Sequence, residues 1–158
     1  MIELKTFDVF PKEVAESIKE HLKQLDNKSW TRRTTLGRGR GIPNEDCKHD
    51  WIGHVNLPKS LLKILLEYAP QFEDYYLQEI CANRYNIGDY LGKHKDMHLY
   101  RKNVVVSLQQ DGDGLIDHNA NKFIEDKIGQ GVIFTGVGPL HEVPPVKQER
   151  FVVIYLYQ

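Results

Sequence analysis

Residues 84–100 read RYNIGDYLGKHKDMHLY. At the centre of this stretch, His94 and Asp96 are separated by one residue. Side chains at i and i+2 of a β-strand project to the same face, so an imidazole and a carboxylate can enter one cavity together. The turn chemistry of residues 86–92 predicts that a new strand begins at His94. An HxD pair is weak evidence by itself, because seven His and 22 acidic residues in 158 positions make such a pair expected by chance. Its weight depends on distant residues.

Downstream, Gly131-Val132-Ile133-Phe134 has the apolar run of a buried strand and leads through a glycine turn to His141. His94, Asp96 and His141 together offer two imidazoles and one carboxylate. That donor set binds a transition metal such as iron and leaves coordination positions open for other ligands. Arg150 follows Pro144-Pro145 and opens the apolar strand 151–157. A charge there is costly unless paired, and no partner within the chain is evident. A bound carboxylate would satisfy the guanidinium fork bidentately.

Working outward, residues 2–10 alternate as a first strand ending at Pro11. Residues 11–27 place Val14, Ile18, Leu22 and Leu25 on one helical stripe. Residues 29–53 form a long loop or irregular hairpin that carries Arg32, Arg33, Arg38 and Arg40, bracketed by Trp30 and Trp51. Pro58 opens a second helix, reaching to about residue 74 and rich in Leu61, Leu62, Ile64, Leu65 and Tyr68. Strand patterns then dominate: residues 75–86, 103–110, 129–138 with glycine punctuation, a short piece at His141 and the final run. Residues 115–128 read equally as two short strands or a helix. Helices followed by seven or eight strands predict an α+β chain, with a β-sandwich or jelly roll supported by N-terminal helices. The expected organisation is one domain over 1–158: helices and the Arg-rich loop in 1–75, a catalytic β-core in 76–158.

Composition narrows the classes. The chain is 41% hydrophobic and 27% charged with a net charge of -1, so no global basic footprint for nucleic acid is present. Cys47 and Cys81 lack CxxC spacing, which argues against a disulfide scaffold. Cys47, His49 and His54 lack a fourth ligand for structural zinc. His98 is not needed by the metal set, and His118 reads as a loop residue. The charged first residues and the lack of a long apolar run lead to the expectation of a cytoplasmic, soluble protein.

The segments RYNIGDYLGKHKD, NVVVSLQQDGDGL, GQGVIFTG and HEVPPVKQERFVVIYLY resemble the Fe(II)- and 2-oxoglutarate-dependent dioxygenases, nearest to their prolyl 4-hydroxylase-like branch. The resemblance covers residues 80–158. It implies a double-stranded β-helix with Fe(II) on His94, Asp96 and His141, and 2-oxoglutarate and O2 as cosubstrates, with ascorbate as an accessory. It also implies that Arg150 and Tyr85 hold the distal cosubstrate carboxylate, with Tyr90 nearby and Ser107 where some relatives carry a tyrosine. The implied activity is hydroxylation of a C–H bond, with a peptidyl prolyl substrate favoured. An alternative is a nucleic-acid demethylase resembling the AlkB proteins, although the further arginine of that family falls on Leu156. A silent binding module on the same fold is a third reading. Trp30, Arg38 and Arg40 are the expected substrate contacts, suited to an acidic peptide or to phosphates and a stacked base.

Overall fold

Pro11 and Pro58 each stand immediately before a helix, where a missing N–H costs nothing. The first helix, α1 (Lys12–Lys23), carries Glu13 in its first turn and His21 and Lys23 in its last, matching the helix dipole. It buries Ala15, Ile18 and Leu22, with Val14 and Leu25 at the margin of the core. The second, α2 (Lys59–Glu67), buries Leu61 and Leu65 and stops well short of residue 74. Pro70, three residues beyond its end, cannot continue a helix. The computed structural model describes residues 4–35, 46–96, 100–136 and 138–158. Arg38, Arg40 and His98 lie outside the described residues.

Among the described residues, eleven strands build the rest: β1 (Lys5–Asp8), β2 (Thr31–Thr35), β3 (Asp46–Ile52), β4 (Leu77–Tyr85), β5 (Tyr90–His94), β6 (Lys102–Ser107), β7 (Gly114–Asp117), β8 (Lys122–Glu125), β9 (Gln130–Thr135), β10 (His141–Val143) and β11 (Arg150–Tyr157). Every pairing is antiparallel. One sheet runs β1-β9-β6-β11-β4-β3 with β2 beyond β3; the other runs β3-β5-β10-β7-β8. Strand β3 belongs to both: Asp50, Trp51 and Ile52 pair with β4, while Cys47 and Lys48 pair with β5. The two curled antiparallel sheets form a double-stranded β-helix, the expected jelly roll. Residues 115–128 resolve as the β7–β8 hairpin, and of the two readings of residues 29–53 the irregular hairpin agrees with the antiparallel β2–β3 pair, whose register shifts between Arg33 and Thr35. Since β1, β2 and β3 are integral to the sheets, the β-core draws on residues well before 76.

Alternation along β11 explains how one strand serves two compartments. Phe151, Val153, Tyr155 and Tyr157 face the helices and join Ile18, Leu22, Leu61 and Leu65 in the main core. Arg150, Val152, Ile154 and Leu156 face the space between the sheets. Tyr155 donates its hydroxyl to the Leu65 carbonyl at 2.7 Å, tying the last turn of α2 to the sheet. Between β8 and β9, Gly129 adopts φ +80, and a Cβ there would lie 2.1 Å from the Phe10 carbonyl oxygen. That close approach lets the Val9 and Phe10 amides donate to Gly129. No helix among the described residues is long and apolar enough to cross a membrane.

Candidate metal centre

Cross-strand register brings the two imidazoles together. His141 on β10 is the direct partner of His94 on β5, and their ring centroids lie 4.2 Å apart. His94 ends its strand instead of beginning one. Asp96 therefore lies two residues beyond the strand end, so strand alternation does not place its carboxylate. Asp96 Oδ1 sits 3.6 Å from His94 Nε2 and 3.5 Å from His141 Nε2. One ligand atom from each of the three residues falls within 4.8 Å of the others.

The outer contacts fix which atoms face inward. His94 Nδ1 lies 2.7 Å from the Gly92 carbonyl and His141 Nδ1 2.7 Å from the Pro139 carbonyl. A carbonyl only accepts, so each Nδ1 carries the proton and each Nε2 presents a lone pair to the centre. This is the tautomer a metal-ligating histidine needs, fixed by a backbone acceptor. Burial pulls His141 down to about 4, against the opposing pull of Asp96, so its ring is neutral at physiological pH. Asn103 donates to Asp96 Oδ2 at 3.3 Å, and the Phe134 ring lies 4.7 Å from that of His141. Two imidazole nitrogens and a carboxylate oxygen suit iron. Cys47, His49 and His54 form no such group.

The triad borders a cavity of about 270 Å³ between the sheets. Arg150 lies at one end, 2% exposed. It has a partner within the chain after all: Nε donates to Asp126 Oδ2 at 2.8 Å and Nη2 to Oδ1 at 3.0 Å. Burial opposes the guanidinium charge, but Asp126 more than offsets this and raises the Arg150 pKa. Ser107 Oγ and Gln109 Nε2 also donate to Asp126, at 2.8 and 3.1 Å. Ser107 thus shares the inward face of β6 but ends on Asp126 and does not line the cavity. Both contacts to Asp126 use Nε and Nη2. The Tyr85 ring lies 5.1 Å from the guanidinium, its phenol pushed up by burial.

Tyr90 is half-buried on β5 and does not border the cavity. Trp30 is likewise misplaced by the sequence reading. It is buried on the helix side between Phe151 and the Arg84 guanidinium, so it cannot meet a ligand in the cavity. The tryptophan that does line the cavity is Trp51, with Arg33 stacked over it at 4.5 Å. His49, Asn83 and Glu79 also line it. Arg33 belongs to the Arg-rich segment already singled out, whereas Trp51, His49, Asn83 and Glu79 are not among the expected site residues. Their signal was alternation: on β4, Glu79, Cys81, Asn83 and Tyr85 occupy one face, opposite buried Ile80 and Ala82. Asp126 carried no comparable local signal.

No protein-family profile matches the chain, and no curated protein matches its sequence. Solved structures match its fold. A viral collagen prolyl hydroxylase from Paramecium bursaria Chlorella virus-1, in complex with 2-oxoglutarate, aligns at TM-score 0.60 and 16% identity over 98% of this chain and 94% of that one. A Trichoplax adhaerens prolyl hydroxylase, bound to a hypoxia-inducible-factor peptide, aligns at TM-score 0.60 and 14% identity over 98% and 82%. The non-haem α-ketoglutarate-dependent epimerase SnoN from nogalamycin biosynthesis aligns at 0.65 and 13% over 99% and 78%. At these identities the likeness is one of fold.

Proposed function

We propose that the chain is an Fe(II)- and 2-oxoglutarate-dependent dioxygenase that hydroxylates a C–H bond of a peptidyl substrate, with proline as the favoured residue. The observation that carries this reading is the convergence of His94 Nε2, His141 Nε2 and Asp96 Oδ1, with both Nδ1 atoms committed to backbone carbonyls. Iron held by these three residues would supply O2 activation coupled to oxidation of 2-oxoglutarate to succinate and CO2. The chain's own residues supply orientation and shielding. Arg150, braced by Asp126, offers Nη1 to the distal carboxylate of the cosubstrate. Tyr85, beside that guanidinium, offers its hydroxyl to the same group. Val105, Leu115, Val143 and Val152 give the cavity apolar walls that keep water from the reacting centre.

The peptide preference draws on the two prolyl hydroxylases among the fold relatives, one of which binds a peptide. The test is direct. Purified protein with Fe(II), ascorbate and 2-oxoglutarate is offered a panel of prolyl peptides, and succinate and the added oxygen atom are measured. Succinate formation that stops on chelation and returns with Fe(II) is the expected result. Turnover that persists in Asp96→Ala would sink the triad assignment.

A further inference from the structure

Register places a row of inward side chains across four adjacent strands. Arg150 on β11 opposes Tyr85 on β4. The Tyr85 ring stacks on His49 of β3, with centroids 5.4 Å apart. His49 opposes Arg33 of β2. The two guanidinium groups at the ends of this row are not equivalent. Arg150 is balanced by buried Asp126. Arg33 forms no ion pair among the described residues; its guanidinium rests on Trp51 and its buried Nε has no hydrogen-bond partner. Beside it, His49 is 3% exposed, lines the cavity, and has an Nδ1 that also lacks a partner. Burial, aided by Arg33, draws His49 down to about 4, so it is a neutral ring that can donate a hydrogen bond.

Buried polar atoms without partners are costly, and several around one cavity suggest a ligand that satisfies them. The balanced cation, Arg150, suits the cosubstrate. Three strand spacings of about 4.8 Å separate β11 from β2, beyond the reach of one small diacid. The cation without an ion-pair partner among the described residues is thus placed for a different anion. Charge is also polarised along the cavity. Glu79, held by the Tyr100 hydroxyl at 2.7 Å, lies six residues along β4 from Tyr85, at the end away from Arg33.

We propose that Arg33, His49 and Trp51 form a subsite for a carboxylate of the substrate, so that the preferred peptide carries an acidic residue beside the reacting one. The proposal rests on the dioxygenase reading above and names its substrate class. The planar guanidinium presents a fork to the carboxylate, Trp51 supports its face, and His49 contributes a neutral donor.

The test is binding, not turnover. The protein is loaded anaerobically with Fe(II) and 2-oxoglutarate, then titrated calorimetrically with capped prolyl tripeptides carrying Glu, Gln, Lys or phosphoserine on either side of proline. Glu peptides should bind about tenfold more tightly than Gln peptides, the scale of one charge-assisted hydrogen bond. Arg33→Gln should abolish that ratio, Arg33→Lys should keep part of it, and His49→Phe, which preserves the stack on Tyr85, should reduce it. Equal affinity for Glu and Gln, tighter binding of Lys or phosphoserine, or a ratio that survives Arg33→Gln overturns the inference. So does binding of 2-oxoglutarate with no peptide bound, which leaves the cosubstrate reading standing. A protein that binds no 2-oxoglutarate overturns that reading and the subsite with it.

Discussion

Arg150 and Asp126 form a doubly hydrogen-bonded ion pair in which the two side chains are 2% and 3% exposed. An ion pair this deep holds its geometry because neither partner can be left alone. Asp126→Ala strands a buried guanidinium and should cost about 3–5 kcal/mol of stability, read as a lower urea midpoint. Replacing both partners at once, as Asp126→Leu with Arg150→Met, should restore most of that stability while 2-oxoglutarate affinity falls. A single Asp126→Ala variant as stable as wild type would show that the pair contributes nothing.

The metal site yields a graded series. His94→Ala, Asp96→Ala and His141→Ala should each eliminate stoichiometric Fe(II) binding in anaerobic titration, and succinate formation with it. Asn103→Leu removes only the donor to Asp96 Oδ2 and should weaken metal affinity about 10–100-fold, the usual scale for groups that orient a ligand. If Asn103→Leu binds iron like wild type, the Asn103 contact is incidental.

Two imidazoles predict acid sensitivity in the metal-free protein. Burial holds both His49 and His141 down to about 4, whereas an unfolded imidazole titrates near 6.5. Between these values the unfolded chain carries more protons, so stability rises with pH across that window. It is fully present above about pH 6.5 and is lost as pH falls through 4, by on the order of 3 kcal/mol per group at most. Urea midpoints measured from pH 7 down to 4 should fall, and His49→Phe should flatten part of the slope. An unchanged slope in that variant would remove His49 from the account.

The turn at 86–89 is held from three sides. Asp89 accepts from the Asn86 amide at 2.9 Å and from Arg32 Nη2 at 2.7 Å, and its own carbonyl accepts from Val146 N at 2.9 Å. Burial works against the Asp89 carboxylate charge, but these hydrogen bonds keep its pKa below the ordinary value. Asp89→Ala should cost about 1–3 kcal/mol, mostly from the freed Asn86 amide and the loosened turn, since Arg32 is substantially exposed. Amide hydrogen exchange should quicken in β2 and at residues 86–89, and a variant with native protection there would contradict this.

Strand β11 was readable from its period-two apolar pattern, and the donor set His94, Asp96 and His141 from residue types rare in combination. The Asp126 partner of Arg150 was not readable. It lies 24 positions away, at the end of a hairpin whose strands are four residues each, and only sheet register brings it under the guanidinium. The exchange of Trp30 for Trp51 has a similar cause. Both flank the same segment, but Trp30 precedes β2 and packs toward the helices, whereas Trp51 falls on the inner face of β3. Parity relative to a strand start decides that, and the starts of β2 and β3 carry no Pro or cap signal. His94 was assigned to the wrong end of a strand because the residues before it read as a turn, although β5 had already begun at Tyr90.

Strand β3 makes the two sheets resemble the covers of a book bound along one spine. The sheets end at β1 and β8, which do not pair with each other among the described residues, so the two are joined by strand pairing at β3 and not at their far edges. His49 sits in the spine itself, between the residues that pair with one cover and those that pair with the other. A ligand held at the proposed His49–Trp51 subsite would therefore touch the one strand that both sheets share.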